Sequence, residues 1–144
     1  DLPVSAHIPE NYISDNAQRL EIYRRIADIR TDEDSMDVYD ELIDRFGEPP
    51  AAVQGLIDVA LLRNTAAACG IKEIREQGGT LYLYPRALDM AAGARLTAAL
   101  PGRVLISAAG KPYYAVKIQT KGGGDALDTL RQALDAMKEE KTDG

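Results

Sequence analysis

The sequence predicts an α+β fold, with an N-terminal helical subdomain of three helices followed by two strand–strand–helix units. Apolar residues recur at three- and four-residue spacing through the first seventy positions. Beyond Gly70, short β-branched and aromatic runs are separated by glycine-bearing turn signals. Each pair of these runs is followed by a helical pattern, so the strands should form a four-stranded, mainly antiparallel sheet with helices on one face.

Taken in order, Pro3 and Pro9 predict an extended N-terminal arm over residues 1–13, because the residue before a proline is driven away from helical geometry. The first helix is predicted over Asp15–Arg30, with Leu20, Tyr23, Ile26 and Ala27 on its apolar face. Thr31 and Asp34 resemble a capping box, with Asp in place of Glu, and open a second helix that runs to Phe46. Val38, Tyr39, Leu42, Ile43 and Phe46 are its predicted buried face, and Gly47 is suited to end it. Pro49-Pro50 starts a third helix, Pro50–Cys69, which is apolar nearly all round and so expected between layers.

Ile71–Gln77 and Thr80–Tyr84 flank Gly78-Gly79, a two-residue hairpin signal. A helix is predicted over Arg86–Leu100, with Gly93 inside it and Pro101-Gly102 after it. Arg103–Ser107 and Tyr113–Gln119 should form a second hairpin around Ala108–Pro112. Gly122-Gly123-Gly124 is the expected hinge into a last amphipathic helix carrying Leu127, Leu130, Leu134 and Met137. Residues 14–144 are read as one domain, helical over 14–70 and sheet plus helix over 71–144.

A chain of 144 residues can bury roughly 70% of its unfolded surface without metal or disulfide staples. No apolar run approaches the ~18–20 residues of a membrane helix, so no membrane partner is expected. The single cysteine, Cys69, excludes an internal disulfide, which suits a cytoplasmic setting, and its place at the end of an apolar helix suggests a buried structural thiol. The single histidine, His7, leaves no Cys/His cluster for zinc and no Ser-His-Asp set. Gly122-Gly123-Gly124 lacks the Lys-Ser/Thr of a phosphate loop. No catalytic, cofactor or metal residue is assigned, and the chain itself is not expected to be an enzyme. It starts at Asp1-Leu2-Pro3 without Met and is expected to be a piece of a longer protein.

Charge is uneven. Residues 1–50 carry 13 acids and 5 bases, net −8, and the remainder is net +2. Such an acidic first third would repel duplex nucleic acid, whose affinity for proteins comes from clustered Lys and Arg. On the second helix, Asp37, Asp40, Glu41 and Asp44 share a face at three- and four-residue spacing. Asp37/Glu41 and Asp40/Asp44 are like-charge pairs, each unfavourable by ~0.2–0.5 kcal/mol. Asp44 also stands near the negative end of the helix dipole. Within the helix only Arg45 offers relief. A basic partner would supply the missing charge, and a merely solvated face is the plainer alternative.

The run Glu41-Leu42-Ile43-Asp44-Arg45-Phe46-Gly47 followed by Pro49-Pro50, preceded by Arg19-Leu20-x-x-Tyr23-Arg24-Arg25-Ile26, closely resembles the C-terminal domain of the bacterial transcription-repair coupling factor family. Ile8-Pro9-Glu10-Asn11-Tyr12-Ile13 and the helix ending Cys69-Gly70-Ile71 fit as well. The resemblance is carried by about residues 2–71 and continues beyond them as element order. It implies a parent protein that is an ATP-driven translocase on double-stranded DNA, with ATP and magnesium in upstream motor modules. That parent pushes stalled RNA polymerase and recruits the excision-repair protein UvrA. The resemblance also implies that this domain is non-catalytic and autoinhibitory, packing on the parent's own UvrB-homology module to cover the UvrA-binding surface and restrain the motor. Glu41, Asp44 and Arg45, in the matching motif, become the expected interdomain contacts; Asp37 and Asp40 join them by the helical-face argument. Phe46 and Gly47 are expected to anchor and end the helix.

A rival reading is a single-stranded nucleic-acid-binding module. Tyr82 and Tyr84 share one strand face, and Arg86, Arg103, Tyr113 and Lys117 come from neighbouring segments, a combination that can stack bases and hold phosphates. Simple half-buried sheet packing is the plainer account of those tyrosines. A small-molecule sensor, with an effector between the two strand–strand–helix units, rests on fold analogy alone.

Overall fold

A computed structural model describes residues 7–119 and 125–138. The elements run α1 (Asn16–Ala27), α2 (Asp32–Phe46), α3 (Ala51–Ala68), β1 (Ile71–Gln77), β2 (Thr80–Pro85), α4 (Met90–Ala99), β3 (Val104–Ser107), β4 (Tyr113–Lys117) and α5 (Ala126–Met137). This is the predicted α+β order of three helices and two strand–strand–helix units. Leu2 and Pro3 of the expected arm and the expected hinge Gly122-Gly123-Gly124 lie outside the described residues. The described residues fall into two compact units that part between Thr65 and Ala66.

In the helical unit, residues 7–13 are non-helical but turned rather than extended throughout. The Pro9 carbonyl accepts from the amides of Tyr12 and Ile13, at 3.0 and 3.2 Å, because a proline pre-set for an extended chain is equally suited to open a turn. The turn places Ile8 and Ile13 in one core with Ile22, Ile26, Ile29, Val38, Leu42, Val53 and Ile57. Asp15 caps α1 by accepting from the Ala17 amide. The helix ends at Ala27, three residues short of the predicted Arg30, and its buried line is Ile22, Ile26 and then Ile29. Leu20, predicted to be buried, is 51% exposed, and Ala27 also faces out. Two overlapping periodic sets existed in that segment, and packing against α2 and α3 residues selected the isoleucines.

The capping box forms as predicted: the Asp34 amide donates to Thr31 Oγ1 at 3.1 Å, and the Thr31 amide donates to the Asp34 carboxylate at 3.3 Å. Val38 and Leu42 are buried, with Tyr39 and Phe46 partly so, but Ile43 stands 40% exposed. Gly47 ends α2 with φ of +88°, a conformation that strains a residue bearing Cβ. Helix α3 is less enclosed than its composition suggested. Val53 and Ile57 enter the core, Leu56, Ala60 and Leu61 are half-buried against it, and Gln54 and Arg63 are exposed. Asn64 donates to the Ile29 carbonyl at 3.0 Å, satisfying backbone beyond the end of α1.

In the sheet unit the strand order is β1-β2-β4-β3 and every pairing is antiparallel. Gly78 and Gly79 both take positive φ, 59° and 76°, as the primed two-residue hairpin turn requires. The fourth predicted helix begins at Met90, not Arg86. The Arg86 amide is held by the Gly70 carbonyl at 2.9 Å, and Asp89 caps the helix by accepting from Ala91 and Ala92. β3 begins at Val104 and β4 ends at Lys117, so each is shorter than predicted. One sheet face is closed: Leu81 and Leu83 of β2 and Tyr114 and Val116 of β4 are buried, with α4 and α5 packed on that side. Gly93 explains how close α4 comes, since a Cβ there would lie 2.7 Å from Ile106 Cδ1 and 3.4 Å from Tyr114 Cε1. Helix α5 contributes Leu130, Ala133, Leu134 and Met137 to this core, while Leu127 is only half-buried. Cys69 is half-buried, not fully buried, with its thiol pushed up from the ordinary value by desolvation. No helix among the described residues is long and apolar enough to cross a membrane.

Candidate interdomain interface

Helix α2 is seated by its inner face, and that seating fixes what its outer face shows. Asp37, Asp40 and Asp44 are all exposed, and among the described residues none of them has a hydrogen-bond or ion-pair partner. Met36, 63% exposed, and Ile43 stand seven residues apart and form an apolar edge along the same outer face. The structure therefore brings together three of the five predicted contact residues as a free acidic stripe.

Glu41 and Arg45 behave differently. Glu41 lies on the side of α2 that meets α1, where its carboxylate accepts from the Arg25 guanidinium and, at 3.1 Å, from Arg45 Nη1. Arg45 Nη1 also lies 3.4 Å from Glu21 of α1, and its guanidinium covers the Phe46 ring at 4.9 Å. Hydrogen bonding from Arg25 holds the Glu41 carboxyl below its usual range, with Arg45 adding to the effect. Within α2 Arg45 is the cation that relieves Glu41, as expected, and a second cation, Arg25, arrives from α1. Arg25 was visible in the sequence, but helical spacing within α2 could not reveal a partner on α1.

Phe46 and Gly47 anchor the end of this face. The Tyr12 hydroxyl donates to the Gly47 carbonyl at 2.7 Å, and the Tyr12 and Phe46 rings pack 5.9 Å apart. Met36 and Ile43 were missed as surface residues; an apolar pair seven apart but offset from Val38 and Leu42 was the available signal.

On the sheet unit, the face opposite α4 and α5 gathers most of the residues singled out for nucleic-acid binding. Tyr113 packs edge-on against Tyr82 and Tyr84, with ring centres 5.3 and 6.0 Å apart. Lys111 Nζ lies 4.2 Å above the Tyr84 ring and 2.7 Å from Glu73, whose carboxylate also accepts from Arg75 at 2.6 Å. Lys111 first, then Arg75, lowers the Glu73 pKa. Arg103 and Lys117 line a groove with Tyr82 and Tyr113. Arg86 is not in that groove; it is exposed beyond β2. Among the described residues no group of three His, Cys, Asp or Glu is placed to hold a metal ion.

The architecture is an α+β domain of a helical and a sheet unit, and among the described residues Asp37, Asp40 and Asp44 stand unpaired on one exposed helix face. The chain belongs to the TRCF domain family, which it matches over residues 2–92. That match continues past Ile71, where the motif resemblance ended, through β1 and β2 into the first turn of α4. The chain is similar to the transcription-repair-coupling factor of Mycobacterium tuberculosis, 40% identical over 103 residues, covering 71% of this chain and 8% of that protein. It is also similar to the transcription-repair-coupling factor of Staphylococcus aureus, 27% identical over 140 residues, covering 96% of this chain and 11% of that protein. The fold is similar to the crystal structure of the C-terminal domain of transcription-repair coupling factor, with a TM-score of 0.81 at 21% identity, covering 94% of this chain and 88% of that one. The chain thus spans about a tenth of the length of these relatives.

Proposed function

We propose that this chain is the non-catalytic, autoinhibitory C-terminal domain of a transcription-repair coupling factor. The observation that carries the reading is the contrast on α2: Glu41 is neutralised by two arginines, whereas Asp37, Asp40 and Asp44 are exposed and have no partners among the described residues. Holding like charges together costs energy that a basic surface would recover. The partner is the UvrB-homology module of the same polypeptide, whose UvrA-binding surface the docked α2 covers. Met36 and Ile43 give the contact an apolar edge, and Arg45, held by Glu21 and Glu41, marks its opposite border.

In the parent, docking stabilises the closed state only by contacts that the open state lacks. Closure restrains an ATP- and magnesium-dependent translocase on double-stranded DNA that displaces stalled RNA polymerase. Opening exposes the UvrA site and couples the stall to excision repair. The chain's own residues bind and position; the chemistry belongs to upstream modules.

The test pairs this chain with a separately expressed UvrB-homology module over a salt series. Asp40→Lys with Asp44→Lys is expected to abolish most of the affinity while leaving the melting transition of the chain nearly unchanged. Equal, salt-insensitive affinity for both proteins would rule out the stripe as the docking surface. In the parent, deleting the domain is expected to raise UvrA binding and basal ATPase together; unchanged values would remove the autoinhibitory role.

A further inference from the structure

The open face of the sheet unit has a composition that sheet packing alone does not require. Its two central strands, β2 and β4, present Tyr82, Tyr84 and Tyr113, and the register places Tyr82 opposite Ala115 and Thr80 opposite Lys117. The rings meet at 77° and 69°, so no tyrosine has its π-face taken up by a parallel neighbour. Lys111 covers Tyr84, which leaves Tyr82 and Tyr113 as the rings lining the groove.

The cations on this face outnumber its acids. Glu73 is shared by Lys111 and Arg75, while Arg103 and Lys117 have no carboxylate partner among the described residues. Arg103 Nε and Nη2 both donate to the Lys117 carbonyl, at 3.1 and 2.8 Å. That fork fixes the guanidinium at the groove end and leaves Nη1 to meet an anion. Ala115 and Leu105, which is 64% exposed, add apolar surface to the groove, and Thr80 lines it as well.

We propose that this face binds a short stretch of single-stranded DNA, with bases stacking on Tyr82 and Tyr113 and phosphates held by Arg103 and Lys117. Stacking needs bases released from a duplex, and cations beside rings suit a backbone followed by its charge. The apolar surface of Ala115 and Leu105 suits deoxyribose and thymine methyl groups. An acidic peptide would meet the same cations but would leave the ring faces unused. The proposal is independent of docking through α2, because it concerns residues of the sheet unit alone.

The experiment is fluorescence anisotropy of a labelled oligo(dT) of about twelve nucleotides, within the site sizes of small aromatic platforms, titrated with the 144-residue chain at low salt. Duplex DNA, oligo(U) and polyglutamate serve as competitors, and quenching of intrinsic tyrosine fluorescence is followed in parallel. Oligo(dT) should bind with tyrosine quenching and compete better than duplex, oligo(U) or polyglutamate. Tyr82→Ala should weaken binding by about tenfold, and Tyr82→Phe, which keeps the ring, should bind within about twofold of the unaltered chain. Lys117→Gln should reduce the slope of log affinity against log salt by about 0.7. No binding of oligo(dT), or equal binding by duplex, would overturn the proposal. So would an unchanged affinity of folded Tyr82→Ala. Preferential competition by oligo(U) would reassign the face to RNA, and by polyglutamate to an acidic protein partner; either result rejects the proposal as stated.

Discussion

In each unit one surface glutamate is held by two cations, Glu41 by Arg25 and Arg45, and Glu73 by Lys111 and Arg75. What remains around each network is opposite in sign. Among the described residues, α2 beside Glu41 leaves Asp37, Asp40 and Asp44 unpaired, and the sheet beside Glu73 leaves Arg103 and Lys117 without acids. A net charge of −6 therefore conceals two surfaces of opposite sign. The comparison also shows that membership of a charged stripe does not decide a residue's role. Glu41 and Asp44 are three residues apart, yet one ties α1 to α2 and the other faces outward.

The largest expected effect separates the two sides of α2. Leu42 has no exposed surface, so Leu42→Ala should destabilise the helical unit by about 3–5 kcal/mol through lost burial and the cavity left behind. Denaturant melts and amide exchange over α1 and α2 would read it; a loss below about 1 kcal/mol would mean the inner face does not carry the fold.

Next comes docking. Asp40→Lys with Asp44→Lys should weaken binding to the UvrB-homology module by roughly 2–4 kcal/mol, since attraction becomes like-charge repulsion. The isolated chain should change by less than about 0.5 kcal/mol, because among the described residues these side chains have no partners to lose, and the Asp40/Asp44 repulsion is relieved.

Glu41→Lys should do the reverse in the isolated chain. A lysine there faces Arg25 and Arg45, so a loss of roughly 1–2 kcal/mol in thermal stability is expected from two broken pairs and a new repulsion. A double-mutant cycle with Arg25→Gln would show the coupling; additive effects would place Glu41 with the free aspartates after all.

The smallest effect concerns pH. Both Glu41 and Glu73 have folded pKa values lowered from 4.5. Around that ordinary value the unfolded chain binds more protons, so stability rises with pH there. Their contribution is present above about 4.5 and fades as pH falls through the lower folded values. Melting temperatures of Glu41→Gln and Glu73→Gln, followed from neutral to acid pH, should converge on the unaltered chain at low pH. Parallel curves would deny both networks a role in stability.

Much of the helical unit was legible because its signals are local. Thr31 with Asp34, Gly47 after Phe46, and Val38 with Leu42 each act within one or two turns of one helix, so spacing alone placed them. The Gly78-Gly79 hairpin was legible for the same reason, as a primed turn needs two residues free to take positive φ. The acidic stripe was legible too, since helical periodicity puts Asp37, Asp40 and Asp44 on one face whatever the helix packs against.

Tertiary structure decided what periodicity left degenerate. In α1 the set containing Leu20 and the set Ile22, Ile26, Ile29 both fit a helix, and only the shared core with Val38, Leu42, Val53 and Ile57 chose the isoleucines. Ile43 fitted the apolar face of α2 by spacing but not by packing. Arg25 became the partner of Glu41 because α1 lies beside α2, a contact sixteen residues distant in the chain. Likewise Tyr113 met Tyr82 and Tyr84 only because β4, not β3, pairs with β2. The sequence by itself determined the elements, their caps and the sign of charge on a helix face, because these depend on neighbours within a few residues. Which charges are neutralised and which rings share a surface depended on helix contacts and strand order, which bring distant residues together.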